Sequence, residues 1–381
     1  MSVQFAKKLG EIPGYQPGVP QGKAPEAVKG EDIAQLASNE SPFGPHPQVV
    51  EAITRAASAS NRYPDPAATL LRRRLSERFE VPSAEIAVAN GSCEILLAAS
   101  LALCEPGAEI VYAWPSFSIY PYMAPFSGAR EIRVPLTADH EHDLDAMLAE
   151  ITAATQIVVV CNPNNPTSTY IPVERIAAFL AEVPDYVTVI LDEAYIEFQT
   201  GDDPDASLDL RKDFPNLVCL RTFSKCYGLA GLRVGYALCS NEFRNAVDAV
   251  RQPFSVNAVA QAAAAEAIRH QDDAFDRVEQ TIIERVRVEE GVRGIGLETA
   301  DSQANFSWID LGDNDEAEIV AGMKERGVIV RAGTPLGGPG HIRVSYGSRE
   351  HDDRFLRGLG ELVKPADEAR SGLRGLFGRG R

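Results

Sequence analysis

Positive charge is the first thing that this sequence has little of. Its 381 residues include 37 lysines and arginines against 54 aspartates and glutamates, which gives a formal net charge of −17. Proteins that bind nucleic acid need clustered cations to meet the phosphates. The charge balance therefore weighs against a nucleic-acid partner, and it favours solubility.

Long apolar runs are also absent. No segment approaches the roughly 20 consecutive apolar residues that span a bilayer, and residues 1–8 contain no apolar core long enough for a signal peptide. We therefore expect no membrane partner and a cytoplasmic location. The apolar content of 45% is nevertheless ordinary for a globular protein that buries a sizeable core.

Several familiar binding signatures are missing. The six cysteines include no C-x-x-C pair, which predicts buried free thiols in a reducing compartment. The absence of a G-x-G-x-x-G fingerprint and of a P-loop weighs against a dinucleotide or nucleoside-triphosphate enzyme. The pair His140 and His142 has no third ligand at a useful spacing, so we expect no metal site.

Apolar strand candidates alternate with helical stretches through the middle of the chain. The candidates are residues 86–89, 109–112, 131–134, 156–161, 187–191 and 216–220. Continuous apolar strands separated by helices predict an α/β fold, with a mostly parallel sheet flanked by helices on both faces. Ligands of such sheets bind at the carboxyl ends of the strands, and polar motifs follow several of these candidates.

The pattern divides the chain into four parts. Residues 1–45 form an N-terminal part, in which the glycine- and proline-rich residues 1–35 predict an extended arm and the polar, turn-forming residues 36–45 predict a structured loop that carries function. Residues 46–270 form the predicted large domain, and residues 271–365 alternate again as a smaller α/β domain. Residues 366–381 are basic and glycine-rich, so we expect a disordered tail.

A lysine follows the apolar run 216–220. Lys225 enters a turn of small residues, where partial desolvation disfavours its charged form and frees the amine to attack a carbonyl. Ser224 and Arg233 flank it with a hydroxyl and a guanidinium suited to a phosphate. Pyridoxal phosphate is an aldehyde that carries a phosphate and fits this trio. The alternative is a purely structural role, in which the segment is a turn between two strands, its glycines relieve steric crowding and its lysine is exposed to solvent.

Two further motifs stand where a strand ends. Gly91 and Ser92 precede a helix, whose N-terminal N–H groups bind phosphate, although Ser92 is also an ordinary helix cap. Asp192 is placed to pair with a protonated pyridine nitrogen, and Tyr195 to hydrogen-bond the ring hydroxyl. Taken alone, an acidic pair at a strand end is more often a cap or a solvated pair.

Other candidates are weaker individually. Asn165, in a loop fixed by prolines, is a donor for the same ring hydroxyl. Phe117 is a candidate to stack on a flat ring, with Tyr120 as a competitor and core packing as the alternative. Arg343, with Arg331 as a second cation, is a candidate to grip an anionic substrate, against the alternative of surface ion pairs.

Together these motifs resemble the pyridoxal-phosphate aminotransferases of fold type I, and the histidinol-phosphate aminotransferase branch in particular. The resemblance covers roughly residues 10–363. Four segments carry it: Tyr15-Gln-Pro-Gly18, Leu36-Ala-Ser-Asn-Glu-Ser-Pro-Phe-Gly-Pro45, Tyr63-Pro-Asp-Pro66 and Phe223-Ser-Lys-Cys-Tyr-Gly-Leu-Ala-Gly-Leu-Arg-Val-Gly-Tyr236.

The resemblance implies roles for the cofactor-binding residues. Lys225 would bind the cofactor covalently and later move a proton, Asp192 would pair with the pyridine nitrogen, and Phe117 would stack on the ring. Tyr195 and Asn165 would hold the ring hydroxyl. The phosphate would be bound by Gly91, Ser92, Ser224 and Arg233.

The resemblance also implies substrate contacts and an assembly. Tyr63 would reach the phosphate from the neighbouring subunit, which implies a homodimer with shared active sites. Arg343 would hold the anionic group of the substrate, while Asn39 and Tyr15 lie in segments that close over it. Cys93 and Ser41 depart from the branch, which usually has an acid or amide at the first position and asparagine at the second.

The leading expectation is transamination of L-histidinol phosphate with 2-oxoglutarate, giving imidazole-acetol phosphate and glutamate. Histidinol phosphate has no carboxylate, so Arg343, with Arg331, would hold its phosphate. The alternative is an aromatic aminotransferase, in which phenylalanine or tyrosine offers a carboxylate to Arg343. A pyridoxal-phosphate decarboxylase or lyase and a non-catalytic regulator that binds the cofactor are less favoured.

Overall fold

The structure is a computed structural model that describes residues 33–363, together with Gly10, Ile12 and Gly14. The predicted contact of Tyr15 and the predicted disorder of residues 366–381 lie outside the described residues, as does most of the predicted arm. None of the described helices is long and apolar enough to cross a bilayer.

The described strands follow the predicted apolar runs closely. In chain order they are β1 (Ala34–Gln35), β2 (Ile86–Ala89), β3 (Glu109–Trp114), β4 (Arg130–Pro135), β5 (Thr155–Cys161), β6 (Thr188–Asp192), β7 (Leu217–Thr222), β8 (Gly235–Leu238), β9 (Glu298–Thr299), β10 (Phe306–Asp310), β11 (Val328–Ile329), β12 (Arg331–Ala332) and β13 (His341–Ser345).

Helices separate most of these strands. They are α1 (Pro47–Ala57), α2 (Thr69–Phe79), α3 (Ser92–Leu103), α4 (Tyr120–Ser127), α5 (Leu144–Ala149), α6 (Val173–Glu182), α7 (Ala206–Asp209), α8 (Asn241–Val250), α9 (Ala258–Ala267), α10 (Gln271–Ile295), α11 (Glu316–Glu325) and α12 (Arg349–Leu362).

The central sheet has seven strands in the order β2-β8-β7-β6-β5-β3-β4. Only β8 runs against its neighbours, so the sheet is mostly parallel. Along β5, Val158 and Val160 enter one hydrophobic core, and Ile157 and Val159 enter a second core on the other face. Because both faces are covered, the strands are continuously apolar. The predicted α/β fold is confirmed.

A second, antiparallel sheet has the order β12-β13-β10-β9 and packs against α11 and α12. The short strand β1 pairs in parallel with β11 and brings Ala34 and Leu36 into the core of this smaller unit. Helix α10 contributes to two cores, with Val278 in the larger unit and Val288 in the smaller one. The domain boundaries proposed at residues 45 and 270 stay predictions.

The segment around Leu36 yields a prediction about stability. Leu36 is 2% exposed in the small core, whereas Leu70 on α2 is 49% exposed. We expect Leu36→Ala to lower the free energy of unfolding by about 2–5 kcal/mol, because it removes buried methyl groups and leaves a cavity. Urea unfolding followed by circular dichroism measures the difference.

The matched control is Leu70→Ala, which should change the free energy of unfolding by less than about 0.5 kcal/mol because the side chain is already in water. Equal unfolding midpoints for the two variants would contradict the placement of Leu36 in the core.

Candidate active site

A cavity of about 270 Å³ opens at the carboxyl edge of the large sheet. Strand β6 ends at Asp192, and the turn that follows β7 carries Lys225. Helices begin at this edge, and the smaller unit closes the opposite wall. The predicted residues that line the cavity are Asn39, Ser92, Phe117, Asn165, Asp192, Tyr195, Ser224, Lys225, Arg233, Arg331 and Arg343.

Lys225 is the only one of the three described lysines that lines this cavity. Its Nζ donates to the backbone carbonyls of Asn39 at 3.0 Å and Ser38 at 3.3 Å. Two causes lower the pKa of the amine to about 7: loss of solvent around it is the larger, and the positive charge of Arg343 is the next. A large fraction of the cofactor-free protein therefore carries a neutral amine near pH 7, as nucleophilic attack requires.

Asp192 is 1% exposed, and only one of its two carboxylate oxygens accepts a hydrogen bond from a described side chain. Its Oδ2 accepts a hydrogen bond from the Tyr120 hydroxyl at 2.9 Å, while Oδ1 is buried with no donor among the described residues. Burial raises the pKa of this carboxyl to about 6. A buried oxygen that lacks a donor is costly, and the N–H of a protonated pyridine would satisfy it. The residues thus fit pyridoxal phosphate.

An anion cradle lies between β2 and the Lys225 turn. Gly91 has a φ of +83° just before α3, and a Cβ at this position would overlap the Arg233 guanidinium. Arg233 Nη1 lies 3.5 Å from the Ser224 hydroxyl. The first turn of α3 begins at Ser92 and directs backbone N–H groups toward the same space. The set suits a phosphate group.

A hydrogen-bonded network joins the remaining polar residues. The Tyr195 hydroxyl accepts from Asn39 Nδ2 at 3.0 Å and from Asn165 Nδ2 at 3.4 Å. Asn165 Oδ1 accepts from Arg343 Nη1 at 2.6 Å, and Arg343 Nη2 donates to the Ala37 carbonyl at 2.7 Å. The Asn165 amide therefore bridges the Tyr195 phenol and the Arg343 guanidinium.

Not every predicted residue reaches the cavity. Tyr63 is 84% exposed and stacks on Phe254 outside it, with ring centroids 4.8 Å apart. Its predicted place in the site of a neighbouring subunit stays a prediction. Arg331 does line the cavity, and it lies opposite Arg343 in the register of β12 and β13. Side chains opposite each other across two strands share one face.

Two features of the site were not predicted from the sequence. The sequence suggests Tyr120 only as a candidate to stack on the cofactor ring, whereas its hydroxyl donates a hydrogen bond to Asp192. The backbone carbonyls of Ser38 and Asn39 bind the lysine amine, and backbone groups leave no side-chain signal. The φ of +53° at Asn39 is consistent with the tolerance of asparagine for left-handed backbone, the one hint available.

A second cavity of about 550 Å³ contains none of the predicted cofactor residues. It includes His140 and His341, whose ring centroids lie 5.5 Å apart. His142 is buried elsewhere, and its Nε2 lies 3.1 Å from Asn164 Oδ1. Among residues 33–363 no cluster of three histidine, cysteine or carboxylate side chains is arranged to hold a metal ion. Cavity size alone therefore does not identify the active site.

The parallel sheet carries at one edge a half-buried lysine of lowered pKa, an aspartate with one carboxylate oxygen unpaired within the described part of the chain, and an anion cradle, which together suit a fold type I pyridoxal-phosphate enzyme. The family model "Aminotransferase class I and II" matches residues 31–359, and the chain belongs to this family. It is therefore an aminotransferase that uses pyridoxal phosphate, with an amino compound and a 2-oxo acid as substrates.

Similar proteins carry two different names. An aromatic amino acid aminotransferase of Streptomyces coelicolor is 42% identical over 95% of this chain and 98% of its own length. A histidinol-phosphate aminotransferase of Geobacillus thermodenitrificans is 41% identical over 95% of this chain and 99% of its own. The crystal structure of histidinol-phosphate aminotransferase from Sinorhizobium meliloti with pyridoxal-5′-phosphate superposes with a TM-score of 0.85, at 30% identity over 95% of this chain and 98% of its own.

The lowered pKa of Lys225 predicts a pH dependence of cofactor loading. Since only the neutral amine attacks, the rate at which the cofactor-free protein takes up pyridoxal phosphate should rise about tenfold per pH unit below pH 7 and level off above it. Because Arg343 lowers this pKa by charge repulsion, Arg343→Ala should move the midpoint to higher pH. Stopped-flow absorbance follows the loading.

The control is Arg349→Ala, whose side chain is 70% exposed on α12 and is not among the residues that line the cavity. Its midpoint should match that of the unmodified protein. A midpoint near the ordinary lysine value of about 10.4 in all three proteins would show that Lys225 is not desolvated.

Proposed function

We propose that the chain transaminates aromatic amino acids with a 2-oxo acid. The observation that carries this proposal is Arg343, a guanidinium only 7% exposed that faces the cavity shared with Lys225. The planar guanidinium of Arg343 matches the shape and the single charge of an α-carboxylate, without a need for Arg331 beside it. The Streptomyces coelicolor relative named as an aromatic amino acid aminotransferase supports the choice.

We assign each residue of the cavity a role in binding the cofactor or in moving a proton. When bound, pyridoxal phosphate supplies the electron sink for the electrons left by the departing Cα proton. We assign Lys225 as the base that takes this proton, because its amine titrates near neutral pH. Asp192 would hold the ring N–H through Oδ1, and Phe117 would pack against the ring face. The ring hydroxyl would be held by Tyr195 and Asn165, and the phosphate by Gly91, Ser92, Ser224 and Arg233.

L-Histidinol phosphate is the second candidate donor, and one observation favours it. Arg331 lies directly across from Arg343 in the β12–β13 pairing, and both line the cavity. Two guanidiniums suit a phosphate, which carries more charge than a carboxylate. The Geobacillus thermodenitrificans relative bears that name. In this alternative the products would be imidazole-acetol phosphate and, with 2-oxoglutarate as acceptor, glutamate.

The two donors are separated by single-turnover absorbance. We expect phenylalanine to bleach the visible band of the loaded enzyme at a far lower concentration than histidinol phosphate does. Arg343→Lys should raise the KM for phenylalanine about tenfold to a hundredfold, because an ammonium does not reproduce the bidentate contact. Arg331→Lys should leave this KM nearly unchanged.

The second candidate would replace the first if histidinol phosphate bleached the band at the lower concentration and Arg331→Lys raised the KM for histidinol phosphate about tenfold or more. Arg349→Lys on α12 is the control and should change the KM for neither donor. If neither donor bleaches the band, both proposals fail.

We further propose a homodimer with shared active sites. Tyr63 and Phe254 form an exposed aromatic pair, 84% and 40% exposed, at a distance from the cavity of their own chain. An isologous dimer would cover such a patch and bring Tyr63 to the anion cradle of the partner. The free state of all six cysteines supports a reducing compartment, and we propose the cytoplasm.

A mixing experiment tests the shared sites. Lys225→Ala protein should be inactive, and Tyr63→Ala protein should lose activity at limiting pyridoxal phosphate. A dimer that combines one chain of each variant retains one site with both native residues. Refolding the two variants together should therefore restore about one quarter of the unmodified activity, since half of the dimers are mixed and each has one intact site. Activity no higher than the average of the separate variants would contradict shared sites.

A further inference from the structure

The hydroxyl of Tyr120 is buried beside the cavity wall. Tyr120 begins α4, its side chain is fully buried, and its OH donates to Asp192 Oδ2 at 2.9 Å. Two aromatic rings fix its position: Phe117 meets it edge-on at 5.8 Å between centroids, and Tyr112 lies at 5.7 Å. The phenol therefore has little freedom to turn away from the carboxylate.

We propose that Tyr120 is a positioning residue of the reaction, holding the Asp192 carboxylate ionised with Oδ1 turned toward the cavity. This inference rests on the proposed role of Asp192 as the partner of the cofactor ring nitrogen, and it is independent of which donor the enzyme uses. The carboxylate has two oxygens, and Tyr120 occupies the one that the ring nitrogen does not need.

The surroundings of Asp192 make this hydrogen bond important. Burial raises the pKa of the carboxyl, and the charge of Glu193 acts in the same direction. The Tyr120 hydroxyl and the backbone N–H of Ala194 lower it. Of the other titratable groups that face Asp192, Cys161 has its pKa raised to about 12, and burial also raises the pKa of Cys93 and Tyr195. These three stay neutral near pH 7.

The consequence concerns one proton. With pyridoxal phosphate bound, a single proton would lie between Asp192 Oδ1 and the ring nitrogen. A hydrogen bond from Tyr120 stabilises the carboxylate and so keeps this proton on nitrogen, where it makes the ring a better electron sink. Without the hydroxyl, Oδ2 is buried without its side-chain donor, the carboxyl becomes more basic, and the proton moves from nitrogen toward oxygen.

The test compares three variants of the full chain loaded with pyridoxal phosphate labelled with nitrogen-15 in the ring. Tyr120→Phe removes the hydroxyl and keeps the ring. Tyr112→Phe is the matched control, because Tyr112 is equally buried, packs on the same ring and sends its hydroxyl to Glu131 instead. Asp192→Asn removes the carboxylate. The nitrogen-15 shift reports whether the ring nitrogen is protonated.

We expect a protonated-ring signal from the unmodified protein and from Tyr112→Phe, and a signal moved toward the unprotonated ring in Tyr120→Phe and in Asp192→Asn. In steady state, kcat of Tyr120→Phe should fall about tenfold to a hundredfold, as for the loss of a hydrogen bond to a charged group. The KM for the amino donor should stay within about twofold, because Tyr120 does not touch the substrate.

Two results would contradict the proposed roles of Asp192 and Tyr120 separately. An unchanged signal in Asp192→Asn would remove the proposed role of Asp192 itself. A changed signal in Asp192→Asn together with an unchanged signal in Tyr120→Phe would remove only the role of Tyr120. The double variant Tyr120→Phe/Asp192→Asn distinguishes a role exerted through Asp192 from a general loss of structure: its kcat should equal that of Asp192→Asn alone, and additive losses would contradict the proposal.

Discussion

Loss of water at the carboxyl edge of the parallel sheet is the constraint on which the site depends. Burial moves two pKa values in opposite directions, lowering that of Lys225 to about 7 and raising that of Asp192 to about 6. The first shift makes the amine a nucleophile and a base. The second works against the charge that the aspartate needs, so hydrogen bonds have to counter it. The sheet supplies this dry edge because helices cover both of its faces.

Residues 36–40 connect this buried edge to the smaller unit. Leu36 packs in the small core, while the following carbonyls accept from Arg343 and from the Lys225 amine. The backbone N–H of Asn39 donates to Ser345 Oγ at 2.7 Å. The packing of the smaller unit therefore sets the position of the acceptors that hold the reactive amine, which explains why a segment far from Lys225 in sequence is part of its environment.

Much of the fold and part of the site could be predicted from the sequence. The parallel sheet was evident because β-branched apolar runs such as 156–161 leave no polar face. Asp192 and Lys225 could be placed because each follows such a run. The Asp192–Tyr120 bond could not be predicted, since it joins residues 72 apart through a tertiary contact. Tyr63 shows a different limit, because its predicted contact involves a second chain.

Reductive trapping tests the assignment of Lys225 most directly. The loaded enzyme would be treated with borohydride, which fixes the cofactor on the amine that carries it, and digested for peptide mass spectrometry. The chain has eight lysines, and Lys212 and Lys324 are exposed alternatives among the described residues. We predict that the added mass lies on the peptide containing Lys225 and is absent when an excess of amino donor is added first. Trapping on any other lysine, with Lys225 unmodified, would contradict the site described above.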